Sequence, residues 1–308
     1  MKIKSLGRSI YLIVFLLLAA FILFFRSDAY GEERLKFIDK VNTVTAGDTL
    51  QVTVNRSDAI FTLSNDKAFV DSNGLIQTKK YGKVRITATS GGESVSYVLQ
   101  IKPKAVIGID PGHQQTGNYS TEPIGPGATQ KKTAVAAGTS GVSTGKPEYK
   151  LTLEIAKKLK KELISRGYRV VLTRKKNNVN ITNMERALLL NEECDCAIRL
   201  HADGIDNAAV TGAGALYPST SNPYVGKLSD VSRNLSECVL NSYCEATGLR
   251  NRGLSLRDDL TGTNWSTIPV TLLEMGFMTN SSDDNFMSSV SGQEKMVKGI
   301  ADGVDQFF

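Results

Sequence analysis

The 308 residues are 41% apolar and 22% charged, with a net charge of +6 and a pI near 9.0. This is ordinary globular composition, and the length allows two modest domains with cores of their own. The mild basicity favours approach to an anionic surface such as a cell wall, lipid headgroups or nucleic acid. With no RNP-like aromatics, no zinc-finger spacing and no basic helix, nucleic acid is excluded as a partner.

In residues 1–31, Lys2, Lys4 and Arg8 precede an uninterrupted apolar stretch from Ile10 to Phe25, which Arg26 closes. These are the charged and hydrophobic regions of an export signal. The apolar run falls between a usual signal core and a bilayer span of about 20 residues. Ser27-Asp28-Ala29 and Ala29-Tyr30-Gly31 offer small-residue cleavage sites, whereas the Phe-rich end suits an uncleaved membrane anchor. Either reading exports the chain to the extracellular or wall face. Export gives Cys194, Cys196, Cys238 and Cys244 an oxidising context. Their spacing does not fit a zinc knuckle, and cross-links in any of three pairings or buried free thiols remain open.

Residues 35–103 read as all-β. Val44, Leu50, Val52 and Val54 alternate, Phe61 and Leu63 follow, and the pattern returns in Val84, Ile86, Ala88 and in Val95, Tyr97, Leu99, Ile101. Turns fall at Ala46-Gly47-Asp48, Ser72-Asn73-Gly74 and Ser90-Gly91-Gly92, which predicts a small sandwich of short strands. The segments 61–76 and 81–89 resemble the bacterial Ig-like domain of group 2, which implies a spacer.

From 104 to 308 strands alternate with helices. Val106-Ile107-Gly108-Ile109 is a short β-branched run that stops in Asp110-Pro111-Gly112, so it reads as a buried strand with His113 just past its end. The spacing of Leu151, Ile155, Leu159 and Leu163 predicts a helix over 147–166, with Glu148 at its start and Gly167 as its stop. A strand follows over 168–172. Thr182 and Glu185 have capping-box spacing ahead of a helix through Leu190, and Ser291 and Glu294 have it before the final helix. A strand over 196–200 ends at His201, residues 229–247 are helical, and a strand over 270–273 runs into Glu274. This rhythm implies an α/β fold, a mostly parallel sheet covered by helices on both faces, preceded by the small sandwich and the N-terminal membrane or signal helix.

The chain has only two histidines, and both lie at strand ends, where the loops of an open α/β sheet converge on a crevice. That placement predicts one shared site. Glu274, at the end of an apolar strand, would be costly unless paired, protonated or near a metal. Glu148 suits a first helical turn through the macrodipole alone, so its role rests on the rest of the set. A catalytic zinc takes three protein ligands and keeps a position for water. His113, Glu148 and His201 supply a His2Glu set, with Glu274 near the metal as general base and then acid.

Ile109-Asp110-Pro111-Gly112-His113, Pro147-Glu148, Leu172-Thr173-Arg174, Met184-Glu185-Arg186, Leu200-His201-Ala202-Asp203 and Leu273-Glu274-Met275-Gly276-Phe277-Met278-Thr279-Asn280 come in a telling order. It is the order seen in zinc-dependent N-acetylmuramoyl-L-alanine amidases of the Amidase_3 type, which the whole of 104–308 resembles. The resemblance implies hydrolysis of the amide between N-acetylmuramic acid and L-alanine in peptidoglycan. It also implies one Zn2+ on His113, Glu148 and His201, with Glu274 as the catalytic glutamate and Arg186 structural or near the site. Two departures stand out. The segment 114–145, rich in Gly, Thr and Ser, is longer than such a domain needs and reads as a substrate-shaping loop or a lid; within it Glu122 competes with Glu148. Arg199-Leu200-His201-Ala202-Asp203 replaces the more usual Ser-Ile-His-Ala-Asn, with Asp203 as a turn residue or a contact to substrate or ligand.

Two further readings use the same residues. A zinc carboxypeptidase acting on wall peptides would need a cation such as Arg252 or Arg257 for a terminal carboxylate. A non-catalytic wall-binding protein would have no need of Glu274. The partners expected are peptidoglycan and, through residues 1–31, a membrane, with the chain acting as a monomer.

Overall fold

The structure is a computed structural model that describes residues 33–308, so the expected signal or anchor over 1–31 lies outside the described residues. Among the described residues no helix is long and apolar enough to cross a membrane.

The first part is all-β, as the alternation predicts. Strands β1 (Thr43–Thr45), β2 (Thr49–Gln51), β3 (Ile60–Leu63), β4 (Ala68–Val70), β5 (Leu75–Thr78), β6 (Gly82–Ser90) and β7 (Glu93–Lys102) form two sheets, ordered β1-β7-β6-β3 and β2-β5-β4. Because successive side chains point to opposite faces, Val84, Ile86 and Ala88 turn inward while Lys83, Arg85 and Thr87 face out or lie partly covered. Val84 pairs with Leu99 and Ile86 with Tyr97, and these join Val52 and Ile76 in a core separate from the rest.

The second part comprises β8 (Val106–Pro111), β9 (Asn118–Pro123), β10 (Lys131–Val135), α1 (Glu148–Ser165), β11 (Arg169–Leu172), α2 (Asn183–Asn191), β12 (Cys196–Asp203) and β13 (Ala213–Tyr217). It continues with α3 (Ser229–Thr247), β14 (Asn251–Leu256), α4 (Thr261–Asn264), β15 (Val270–Phe277), α5 (Ser281–Ser288) and α6 (Val290–Phe307). Its central sheet runs β11-β8-β12-β15-β13-β14, with every pair parallel except β13 against β15. The sheet has two differently dressed faces. Ile107, Ile109, Ile198, Leu200 and Leu273 pack into a large core with Ile155 and Leu159 of α1, Leu235 and Val239 of α3, and Ile300 and Val304 of α6. The alternate residues Val106, Val171, Ala197 and Val270 meet Leu189 and Leu190 of α2. Helices thus cover both faces, but α2 is short and covers only the early part of its face.

Thr182 caps α2 with the expected box, its side chain accepting the Glu185 N–H while Glu185 accepts the Thr182 N–H. The box expected at Ser291 and Glu294 is corrected. Ser289, extended at φ −77 and ψ 152, is the cap, and its hydroxyl accepts the Gly292 N–H, which leaves Ser291 inside the first turn. All four cysteines are free thiols. Burial pushes the Cys194 thiol up to about 11, so it is a small apolar side chain rather than a nucleophile.

Candidate active site

The site grows out of the face that α2 leaves open. On β12, Ala197, Arg199 and His201 share that face; Ala197 lies under Leu190, and His201 lies past the end of the covering helix. The parallel register sets Arg199 beside Asp110 on one side and Leu272 on the other, and sets His201 beside Glu274. One rung of the ladder is therefore a buried ion pair, and the next carries the two groups that the sequence placed at strand ends.

His113 arrives from the end of β8. It is the one non-glycine residue among the described residues with a left-handed backbone, at φ 60, a conformation that costs energy and persists only where the surroundings enforce it. The enforcing contact is the imidazole Nδ1, which donates to the Ala136 carbonyl at 2.8 Å and leaves Nε2 facing inward. Gly112 is required next to it, because a Cβ there would run into the His201 ring. Glu148, the first residue of α1, completes the group, and His113, Glu148 and His201 present ligand atoms within 4.8 Å of one another. His113 Nε2 lies 3.1 Å from Glu148 Oε2, and His201 Nδ1 lies 3.2 Å from both Glu148 Oε1 and His113 Nε2. The Glu148 carboxylate also accepts the backbone N–H of Ala202 and of Thr139, each at 3.1 Å.

The electrostatics follow from this packing. Burial works to raise the Glu148 pKa, but hydrogen bonds to His113 and His201 outweigh it and hold the carboxylate well below its ordinary range. Burial pushes His201 down, against its hydrogen bond to Glu148. Glu274 has the opposite fate. Burial first, then the charges of Glu148 and Asp203, push it well above the carboxylate range, and its buried Oε2 has no hydrogen-bond partner among the described residues. Nε2 of His201 is likewise buried without a partner among the described residues.

Beneath these groups lies a polar floor. Asp110 accepts from Arg186 Nη1 at 2.9 Å, Arg199 Nε at 2.8 Å and Thr173 at 2.6 Å, and although burial opposes it, the two guanidinium charges hold its carboxyl far below the usual range. Arg186, expected to be structural or near the site, also donates to the carbonyls of Pro111 and His113. Arg174 donates to the carbonyls of Pro111, Gly112 and Tyr149. Together the arginines clamp the turn that presents His113.

The structure separates Glu122 from the cluster. It is buried, and its Oε1 accepts the Met184 N–H at the start of α2. The Asp203 side chain accepts the Gly204 N–H, as a turn residue does, and lies close enough to Glu274 to act on it by charge. The long segment 114–145 contains the hairpin β9–β10, strapped over α2 and α4 by Asn183 to the Ala134 carbonyl at 2.8 Å and Trp265 Nε1 to the Pro123 carbonyl at 2.9 Å. Of this floor only Arg186 was among the expected site residues; Asp110, Arg174 and Arg199 were not. Their signal was present in Arg199, a charge within an apolar strand, which burial forbids without a partner.

Residues 107–306 match the Amidase_3 family, described as N-acetylmuramoyl-L-alanine amidase. The N-acetylmuramoyl-L-alanine amidase Rv3717 of Mycobacterium tuberculosis is 30% identical over 217 residues, covering 66% of this chain and 86% of that protein. The amidase LytC of Bacillus subtilis is 23% identical over 85% of this chain, which spans 48% of LytC. Among solved structures, the amidase Ami1 of Mycobacterium smegmatis superposes with a TM-score of 0.61 at 25% identity, covering 67% of this chain and 97% of that one. Ami1 of Mycobacterium abscessus, in its apo form, gives 0.61 at 26% identity, covering 67% and 99%.

Proposed function

The chain belongs to the Amidase_3 family of N-acetylmuramoyl-L-alanine amidases, and from that premise we propose that it hydrolyses the amide between N-acetylmuramic acid and L-alanine in peptidoglycan, using one Zn2+ held by His113, Glu148 and His201. The observation that carries this reading is the convergence of those three side chains beside Glu274 on the adjoining strand. The donor set fits the metal. Two imidazole nitrogens 3.2 Å apart need a proton or a cation between them. Ligands at the reach of a tetrahedral zinc stand roughly 3.3 Å from one another. When bound, zinc supplies a lowered pKa for water and polarises the amide carbonyl.

The chain's own groups do the rest. The Ala136 carbonyl fixes the His113 tautomer so that Nε2 is free to ligate. Two backbone N–H groups hold the Glu148 carboxylate in place. Glu274, whose Oε2 has no competing partner among the described residues, would be kept ionised by a cation bound beside it, and in that form would accept a proton from water and pass it to the departing L-alanine nitrogen. Residues 1–31 export the chain as a signal or a membrane anchor, and residues 35–103 act as an Ig-like spacer between that end and the enzyme.

The test is purified protein incubated with peptidoglycan, with zinc and with a chelator, followed by mass spectrometry and assay of new L-alanine amino termini. Zinc-dependent release of free stem peptides is expected, lost in Glu274→Ala with the metal still bound. Shortened stems still joined to muramic acid would turn the reading to a carboxypeptidase, and zinc binding without cleavage to a wall-binding protein.

A further inference from the structure

A pocket of about 530 Å3 opens beside His201, and Arg199, Lys132, Asn183, Leu272 and Gly262 are among its walls. Arg199 is 5% exposed, so its charge is held almost entirely within the fold. Its Nε is taken by Asp110 and its Nη2 by Asn183 at 2.9 Å. Nη1 makes no hydrogen bond among the described residues, and a guanidinium carries five donors in a planar fork. Gly262 lies against that end of the guanidinium, where a Cβ would collide with Nη1, so the absence of a side chain keeps the fork open.

The local charge is unbalanced. Asp110 is shared between Arg186 and Arg199. Lys132 adds a second cation to the pocket, and the pocket's acid, Asp259, is engaged by Lys132 at 3.0 Å and by Arg257 at 2.7 Å. An anion with two coplanar oxygens would complete the arrangement.

Distance says where on a substrate that anion sits. Arg199 and His201 are two residues apart on one strand and share a face, about 6.6 Å along the chain. An extended peptide advances at the same pitch, so with its first amide at His201 it brings its second residue over Arg199. Resting on the amidase reading, we propose that Arg199, assisted by Lys132, binds the free carboxylate of the second residue of the stem peptide and makes the enzyme selective for acidic over amidated stems.

The test uses the full chain loaded with zinc and two muramoyl-L-alanyl peptides that differ only in a carboxylate or a carboxamide on the second residue. The wild type is expected to favour the acid in kcat/KM by about 10- to 100-fold, the worth of a charge-assisted pair. Arg199→Gln is expected to bring that ratio toward one. Lys132→Gln, which leaves the Asp110 pairing intact, is expected to lower it about two- to fivefold. Each ratio compares two substrates on one preparation, so partial unfolding of a variant does not imitate the result. Equal cleavage of both peptides by the wild type, or a ratio unmoved by Arg199→Gln, overturns the proposal. If neither peptide is cleaved, the amidase reading fails, and calorimetric binding of the two peptides then decides the subsite. Tighter binding of the acid, weakened by Arg199→Gln, upholds it, and equal binding overturns it.

Discussion

Asp110 and Glu274 lie on neighbouring rungs of one face of the central sheet, both withdrawn from water, and their surroundings treat charge in opposite ways. Asp110 is met by two guanidinium groups and a hydroxyl, and is held ionised. Glu274 is met by the charges of Glu148 and Asp203 and offers a buried oxygen that none of the described residues satisfies. The first arrangement makes a rigid base for the histidine turn. The second stores an unsatisfied group where a reacting water and a metal would satisfy it, which is the pattern expected when stability is given up for chemistry.

Exchanging each acid for its amide should separate the two roles. Glu274→Gln is expected to lower the amidase rate by about 10²- to 10⁴-fold, the usual worth of a positioned proton carrier. Its zinc content should hold, and its unfolding midpoint should stay level or rise, because an unpartnered buried acid has been removed. Early unfolding of that variant would instead place Glu274 among the structural acids. Asp110→Asn is expected to do the reverse, costing about 3–5 kcal/mol of stability by leaving two buried guanidinium groups without their counter-charge. Denaturant titration of the two variants side by side reads the contrast directly.

Much of this contrast was legible in the sequence from residue types that a strand or helix cannot hide. Two histidines after two short apolar runs, Asp110-Pro111-Gly112 as a stop, and a carboxylate ending a third run pointed to one crevice, and the fold brings the corresponding side chains together. The helix over 147–166 was plain from the spacing of Leu151, Ile155, Leu159 and Leu163, and the Thr182–Glu185 box marked the start of α2. The hairpin β9–β10 was not, because the six residues Asn118–Pro123 are polar or exposed on both faces and give no alternation to read. The antiparallel placing of β13 against β15 was hidden because an apolar run looks alike in either direction. Arg199 stood out as a departure, but its partner Asp110 is 89 residues away, and only the register of β8 and β12 joins them.

The pH dependence of zinc-free protein sharpens the same comparison. The Asp110 pKa is depressed by folding, so its contribution is present above the unfolded value of about 3.9 and is lost as pH falls below it. The Glu274 pKa is raised by folding, so its contribution is full below the unfolded value of about 4.3 and is lost as pH rises through the folded one. Stability measured by denaturant should therefore climb from neutrality toward about pH 5 and fall below about pH 4. Glu274→Gln should flatten the climb and leave the acid fall in place; a climb that persists unchanged would assign it to another group.

Glu122 supplies the smallest and most discriminating change, because its environment lies between the other two. It is buried like both, and burial raises its pKa as it does for Glu274, yet its Oε1 accepts the Met184 N–H, and Thr182 and the Arg199 charge work against the rise. Glu122→Gln keeps the acceptor at the start of α2 and removes only a charge that the site disfavours, so stability should shift by less than about 1 kcal/mol. Glu122 was also the competitor of Glu148 for the metal, and the two now stand in different surroundings, one against a helix start and the other between two imidazoles. Zinc content should therefore survive Glu122→Gln and collapse in Glu148→Gln. Loss of zinc from the Glu122 variant alone would move the third ligand into the hairpin and would require β9 to swing toward His113.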